Sequence, residues 1–222
     1  MTLPHEAERR DAAGFVLAGG RSSRMGSDKA LLQLGGRPLI SYALESLRRA
    51  GVTASIAGAA SALDTFAPVI RDEKPLLGPL SGVCAALAAT EARLCIFLAV
   101  DAPFIPPSLI RYIVRHAEVR GAAITLTTVN GFTQTFPAVI DRAVLPQLRA
   151  SLESEVRGCL VAFRHAGEES GCGLDLVPIE PLAQAGQVED QRGLPVSLWF
   201  ENVNTPEDLR RAESHLTTHR VS

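Results

Sequence analysis

The chain has no clustered set of metal ligands. Its four cysteines, Cys84, Cys95, Cys159 and Cys172, form no CxxC pair, and its five histidines are scattered. That spacing argues against a zinc site. Long apolar runs are missing as well. The most apolar stretches, such as Leu94 to Val100, fall far short of the ~20 residues a membrane helix needs. The first residues, MTLPHEAERRDAAG, are charged and lack an apolar h-region, so they do not read as a secretory signal. Net charge is almost absent, at a formal -2 with a pI near 6.2. Such a balance suits neither a nucleic-acid-coating protein nor a membrane-surface protein, so any anion site must be local. The expectation is a cytoplasmic chain with no nucleic-acid or membrane partner and a flexible segment over 1–13.

What is present is an ordinary globular balance: 222 residues, 46% hydrophobic and 21% charged. The length fits one domain over 1–222. Short apolar runs alternate with helical spacing, which argues for α/β: a Rossmann-like three-layer sandwich with a mainly parallel central sheet. Strands are expected at Gly14 to Ala18, Ala54 to Ala57, Ala67 to Ile70 and Leu94 to Val100. The last of these is a continuous apolar run, as in a buried central strand. Helical spacing covers Leu39 to Ala50, stopped by Gly51. Ser81 is expected to cap a helix running to about Thr90, and Pro106 and Pro107 to open one running to about Val119. Ala122 to Val129 and Pro137 to Ile140 read as strands around a polar turn at Asn130 and Gly131, an antiparallel excursion. Arg142 to Leu152 is helical. Residues 153–195 carry little pattern. A late strand is expected over Leu198 to Val203, followed by a helix that Thr205 caps, with Pro206, Glu207 and Asp208 in its first turn.

The most informative segment is LAGGRSSRMGSDKALL, Leu17 to Leu32. It follows a strand and precedes a helical pattern. Gly19 and Gly20 have no side chains, so backbone N–H groups there can approach an anion closely. Arg21, Arg24 and Lys29 add three cations against one acid, Asp28. The segment is neither a Walker loop nor a GxGxxG turn. A polyphosphate site explains the set better than a strand-to-helix turn with solvated basic residues.

On these residues the chain resembles the molybdenum cofactor guanylyltransferases, a family within the superfamily that has the nucleotide-diphospho-sugar transferase fold. The shared pattern is L-A-G-G-x-S-x-R-M-G-x-D-K-x-L-L. GPLSG (Gly78 to Gly82), VDAPFIPP (Val100 to Pro107) and NVNTPEDL (Asn202 to Leu209) agree in order and spacing. Residues 120–198 match loosely. The resemblance implies transfer of GMP from GTP to molybdopterin, or molybdenum cofactor, with release of pyrophosphate. It implies Mg2+ as cofactor, and cofactor-handling proteins as partners beyond the substrates. It further implies that Leu17, Ala18 and Gly19 meet the guanine and ribose side, with Gly20 and Gly78 also at the nucleotide. Lys29 would bind phosphate, Asp72 would help read the nucleotide and Asp101 would ligate Mg2+. The Gly-Gly loop and Gly78-Pro79-Leu80 resemble the GTP-using branch, since cytidylyl relatives tend to carry alanine before the second glycine. Ala57 stands where relatives often have asparagine.

Physical reasons support several of these roles. Asp101 ends an apolar strand, and open α/β sheets bind ligands outside the carboxyl ends of their strands. A carboxylate there suits a hard cation, which takes one or two carboxylates plus phosphate oxygens; a turn aspartate is the plainer alternative. Nucleotidyl transfer needs positioning and charge neutralisation, and a phosphate nucleophile is already ionised, so no dedicated general base is required. The expected catalytic set is Arg24, Lys29 and Asp101. Asp72 also reads as a loop cap, and Asn202 and Asn204 as turn residues, although Asn204 is within reach of metal or acceptor. Trp199 reads as core. Gln134 and Thr135 are acceptor candidates by loop position alone. Transfer to a sugar or polyol phosphate, cytidylyl transfer, and non-catalytic GTP binding are the competing functions.

Overall fold

The parallel strands form because short apolar segments are buried on both faces. The computed structural model describes residues 12–19, 29–58, 63–72, 78–154 and 158–218. In β1 (Ala12–Leu17) and β6 (Leu94–Ala99), alternate side chains enter two separate cores. Val16, Leu94, Ile96 and Leu98 join one core; Phe15, Leu17, Cys95 and Phe97 join the other. A strand covered on both faces has no reason to alternate polar with apolar, which is why its sequence is a continuous run.

The first core is closed by α1 (Leu39–Ala50), α3 (Pro107–Arg120) and α8 (Pro206–Thr218). In α1 the residues Leu39, Ile40, Ala43, Leu44 and Leu47 form one buried stripe at helical spacing. Gly51 ends the helix in the left-handed conformation, at φ 86°, and its N–H donates to the carbonyls of Leu47 and Arg48. The second core lies under α2 (Pro79–Ala88), α4 (Leu145–Glu153) and α5 (Cys159–Glu169). Helices on both faces of one sheet make the expected three-layer sandwich.

The remaining strands are β2 (Gln33–Leu34) and β3 (Arg37–Pro38), which form a small hairpin, and β4 (Thr53–Ala57), β5 (Val69–Ile70), β7 (Ile124–Val129), β8 (Phe132–Asp141) and β9 (Leu174–Pro178). The seven-stranded sheet runs β5-β4-β1-β6-β8-β7-β9. β8 alone is antiparallel to its neighbours, which is the expected excursion. Its turn uses Asn130 at φ 51° and Gly131 at φ 77°, the positive pair that a two-residue hairpin of matching twist requires. The hairpin overhangs its neighbour: the last β6–β8 pair is Phe97 with Ala138, and β8 extends six residues further, back to Phe132. From β1 the chain steps to β4 and β5 on one side, then crosses to β6 on the other. The switch point, where α/β sheets open a ligand crevice, therefore lies at the carboxyl ends of β1 and β6.

Three expectations require correction. Ser81 does not cap α2. Gly78 does, with Pro79 as the first helical residue, and Ser81 is buried inside the first turn. Leu198 to Val203 is not a strand, and Asn202 and Asn204 therefore end none. Instead α7 (Val196–Trp199) forms after Pro195, and the following residues are irregular. The indole N–H of Trp199 donates to the Leu194 carbonyl at 2.7 Å, which folds the segment onto itself, and only Val203 N–H reaches the sheet end, donating to the Asp101 carbonyl at 2.8 Å. Residues 153–195, which carry little pattern, hold α5, β9 and α6 (Ile179–Gln184). Among the described residues no helix is long and apolar enough to cross a membrane.

Candidate nucleotide and cation site

At the switch point the backbone of β1 continues past its last residue. Ala18 N–H donates to the Ala57 carbonyl at 3.1 Å, and Val100 N–H donates to the Leu17 carbonyl at 3.2 Å. These bonds fix Leu17 and Ala18 between the ends of β4 and β6. Gly19 follows, lying so close to Gly58 that a Cβ on it would sit 2.2 Å from the Gly58 carbonyl oxygen. Gly19 is therefore required by the approach of two chain segments, whatever it does for a ligand. Gly20, Arg21 and Arg24 lie outside the described residues.

Asp72 completes this corner. A Cβ on Gly58 would lie 3.2 Å and 3.3 Å from the two Asp72 carboxylate oxygens, and one on Gly82 of α2 would lie 3.5 Å from Oδ1. Two glycines thus make room for one carboxylate. Its Oδ1 is buried and has no hydrogen-bond partner among the described residues, and burial raises the carboxyl pKa above its ordinary value. A buried acceptor left unpaired costs the free protein stability. Oδ1 of Asp72 therefore caps no described residue. Ala57 is fully buried in the core under α2, and its carbonyl is already bonded to Ala18. Gly78 stands at the mouth of α2 at φ 83°, with its carbonyl accepting from Ser81 N–H.

The charged centre lies across β1 from this corner. Lys29 opens the 3-10 turn Lys29–Leu31. Its Nζ donates to Asp101 Oδ2 at 2.7 Å and to Asn204 Oδ1 at 2.6 Å. The Lys29 and Asp101 side chains are 15% and 23% exposed, so the pair is sheltered but reachable. Asn204 is placed by the cap of α8. Asp208 accepts from the N–H groups of Asn204 and Thr205, and Asp208 N–H donates back to the Thr205 hydroxyl at 3.1 Å. The Asn204 N–H above all holds the Asp208 carboxyl below its usual range. With Val203 bonded to the Asp101 backbone, residues 101 and 204 form a rigid pair.

These oxygens fit a hard cation. Asp101 Oδ2 and Asn204 Oδ1 already converge on one ammonium, which stands in for a metal between two oxygen donors. Among the described residues no group of three or more His, Cys, Asp or Glu could hold a metal. A divalent ion here would thus complete its shell with substrate oxygens and water, as Mg2+ commonly does.

The structure brings Lys29, Asp101 and Asn204 together, and separately Gly19 and Asp72. Sequence reasoning missed Gly58, whose signal is only a glycine after a strand, and had Gly82 only as the end of GPLSG, not as a neighbour of Asp72. Trp199 is 2% exposed and belongs to the core. Gln134 and Thr135 lie on the overhanging part of β8, with Gln134 Nε2 donating to the Phe132 carbonyl at 3.2 Å. A cavity of about 220 Å3 lies elsewhere, between α1, α8 and the 190–194 loop. Its arginines are already paired, Arg37 with Glu45 and Arg192 with Asp190, and Lys29, Asp101 and Asn204 do not line it.

Comparison with known proteins agrees with this architecture. The MobA-like NTP transferase domain matches residues 14–168. The chain belongs to this family. It is 34% identical over 211 residues to a molybdenum cofactor guanylyltransferase of Cereibacter sphaeroides, covering 91% of this chain and 96% of that one. It is 31% identical over 210 residues to a protein of the same description from Rhizobium meliloti (strain 1021), covering 90% of each. The crystal structure of molybdopterin-guanine dinucleotide biosynthesis protein A from Archaeoglobus fulgidus superposes with a TM-score of 0.73 at 22% identity, over 93% of this chain and 99% of that one. The MobA-like NTP transferases are nucleotidyltransferases, and this chain is one of them.

Proposed function

We propose that the chain transfers GMP from GTP to the terminal phosphate of molybdopterin, forming the guanine dinucleotide cofactor and releasing pyrophosphate. The carrying observation is the meeting of Lys29, Asp101 and Asn204 at the carboxyl ends of β1 and β6, in a chain whose 30%-and-above relatives carry that activity in their names. An ionised acceptor oxygen attacks the α-phosphorus, the bond to the β-phosphate breaks, and pyrophosphate leaves. No side chain need remove a proton.

Leu17, Ala18 and Gly19 line the nucleotide with backbone, joined by Gly20 and Gly78. Asp72, with its unpaired buried oxygen, accepts hydrogen bonds from the donor edge of the base. Asp101 and Asn204 would hold Mg2+, which when bound would supply charge neutralisation on the triphosphate. Lys29 and Arg24 stabilise charge on the α-phosphate and the leaving pyrophosphate. The overhanging β7–β8 hairpin, with Gln134 and Thr135, stands on the acceptor side.

The test mixes purified protein with GTP, Mg2+ and molybdopterin and looks for the dinucleotide and pyrophosphate. Turnover with CTP but not GTP would sink the guanylyl assignment. Turnover with a phosphorylated sugar or polyol, and none with molybdopterin, would replace the acceptor. Asp101→Ala is expected to lower turnover by orders of magnitude while circular dichroism stays unchanged.

A further inference from the structure

Lys29 and Lys74 are the only lysines among 22 Lys and Arg residues. Of these, Lys29 sits between two oxygens. A guanidinium is a flat fork suited to paired acceptors, whereas an ammonium is a compact point charge, the nearer mimic of a metal ion. Its nitrogen lies 2.7 Å from Asp101 Oδ2 and 2.6 Å from Asn204 Oδ1. A magnesium-sized ion bound to both oxygens, at roughly 2.1 Å from each, would compete with the ammonium for the space between them. Ammonium and metal cannot share it.

We propose that Lys29 is the resident cation of the nucleotide-free site, and that it is displaced when a triphosphate arrives with its metal. The proposal rests on the nucleotidyl-transfer function proposed for the same residues. In the free protein the Asp101 charge is already neutralised, so a lone divalent ion gains little by entering. A bound triphosphate offers the ammonium a stronger partner, and the flexible lysine stem carries it there. Asp101 and Asn204, held by the Val203 bond and the α8 cap, stay in place and are vacated for the metal. Lys29 thereby couples the two ligands: metal binds well only with nucleotide, and by reciprocity nucleotide binds better with metal.

The experiment titrates Mn2+ into nucleotide-free protein and reads free Mn2+ by electron paramagnetic resonance, with circular dichroism as the folding control. Lys29→Met keeps the length and removes the charge. It is expected to bind Mn2+ roughly ten- to a hundredfold tighter than wild type, since each of the two hydrogen bonds no longer displaced is worth roughly a tenfold change. Adding Asp101→Asn should cancel that gain. A non-hydrolysable GTP analogue should raise Mn2+ affinity more in wild type than in Lys29→Met. Lys29→Gln serves the same purpose if the methionine variant is poorly folded. Neutral variants that bind Mn2+ no more tightly than wild type overturn the proposal. If Asp101→Asn nevertheless weakens Mn2+ binding, the metal role of Asp101 survives; if it changes nothing, both fall. No nucleotide or acceptor enters the first titration, so a failure of guanylyl transfer is seen separately in the dinucleotide assay.

Discussion

Gly19→Ala is the sharpest perturbation of the nucleotide corner. The added Cβ would lie 2.2 Å from the Gly58 carbonyl oxygen, 2.9 Å from its carbon and 3.1 Å from its Cα. Ordinary contacts to a Cβ begin near 3.4 Å, so a gap of more than an ångström must open. The obstructing atoms are backbone, and no rotamer change relieves them. Overpacking of this kind costs about 1–3 kcal/mol. At roughly 2–4 °C per kcal/mol for a chain of this size, the melting temperature should fall by about 2–12 °C. Gly58 also borders the Asp72 carboxylate, whose oxygens would lie 3.2 and 3.3 Å from a Cβ built on it. The shift should therefore move Asp72 and weaken GTP binding by about tenfold, the value of one lost charge-assisted bond. Thermal melting and isothermal titration with GTP and CTP measure both effects. A variant that melts within 1 °C of wild type (roughly the scatter of such scans, set against the expected loss) and binds GTP unchanged would refute the reasoning.

Two further outcomes depend on ionisation. Burial raises the Asp72 pKa, so the native state holds that proton more tightly than the unfolded chain. Its ionised form therefore costs stability once pH rises through the raised value, and costs nothing below the ordinary carboxylate range, near ~4. Asp72→Asn should melt at or above wild type at pH 7.5, lose that advantage towards pH 4, and still bind GTP more weakly; a lower melting temperature at pH 7.5 would reveal a stabilising partner. Cys95 and Cys159 have their thiols pushed up to about 12 by burial, Cys84 is buried, and Cys172 is exposed. A thiol reagent at pH 8 should label Cys172 alone in native protein and all four cysteines in denaturant, because the thiolate is the reactive form. Rapid native labelling of a second cysteine contradicts this.

The parts of the fold legible in the sequence are those fixed by local chemistry. Asn130-Gly131 determines its turn, Thr205-Pro206-Glu207-Asp208 its cap, and the run from Leu94 its central strand. Leu198 to Val203 was illegible because its apolar side chains suit strand and core equally. What decides is Pro195 and the Trp199–Leu194 bond, which turn the segment before it can pair. β9 was illegible because LDLVP is short and gains its identity only by pairing with β7. The site divides the same way. Lys29 and Asp101 each stood out for charge, one as a phosphate ligand and one as a metal ligand. Only the fold shows that they meet, with Asn204 as third member.

Gly19 shows what such a division implies for specificity. By resemblance, glycine rather than alanine at this position marks the guanylyl branch. In the structure, alanine is excluded first by the Gly58 carbonyl, before any base is considered. Gly58 in turn is held against Asp72, and Asp72 against Gly82 of α2. A preference between guanine and cytosine therefore cannot reside in position 19 alone. On the proposed function it would belong to the interlocked set of residues 19, 58, 72 and 82, which surrounds one unpaired carboxylate oxygen. Alanine at position 19 would require a different path for this chain after β4. Exchanging that residue alone should damage GTP binding without creating CTP binding, whereas exchanging the post-β4 segment together with it should move the preference. Gain of CTP affinity in the single variant would return base choice to Gly19.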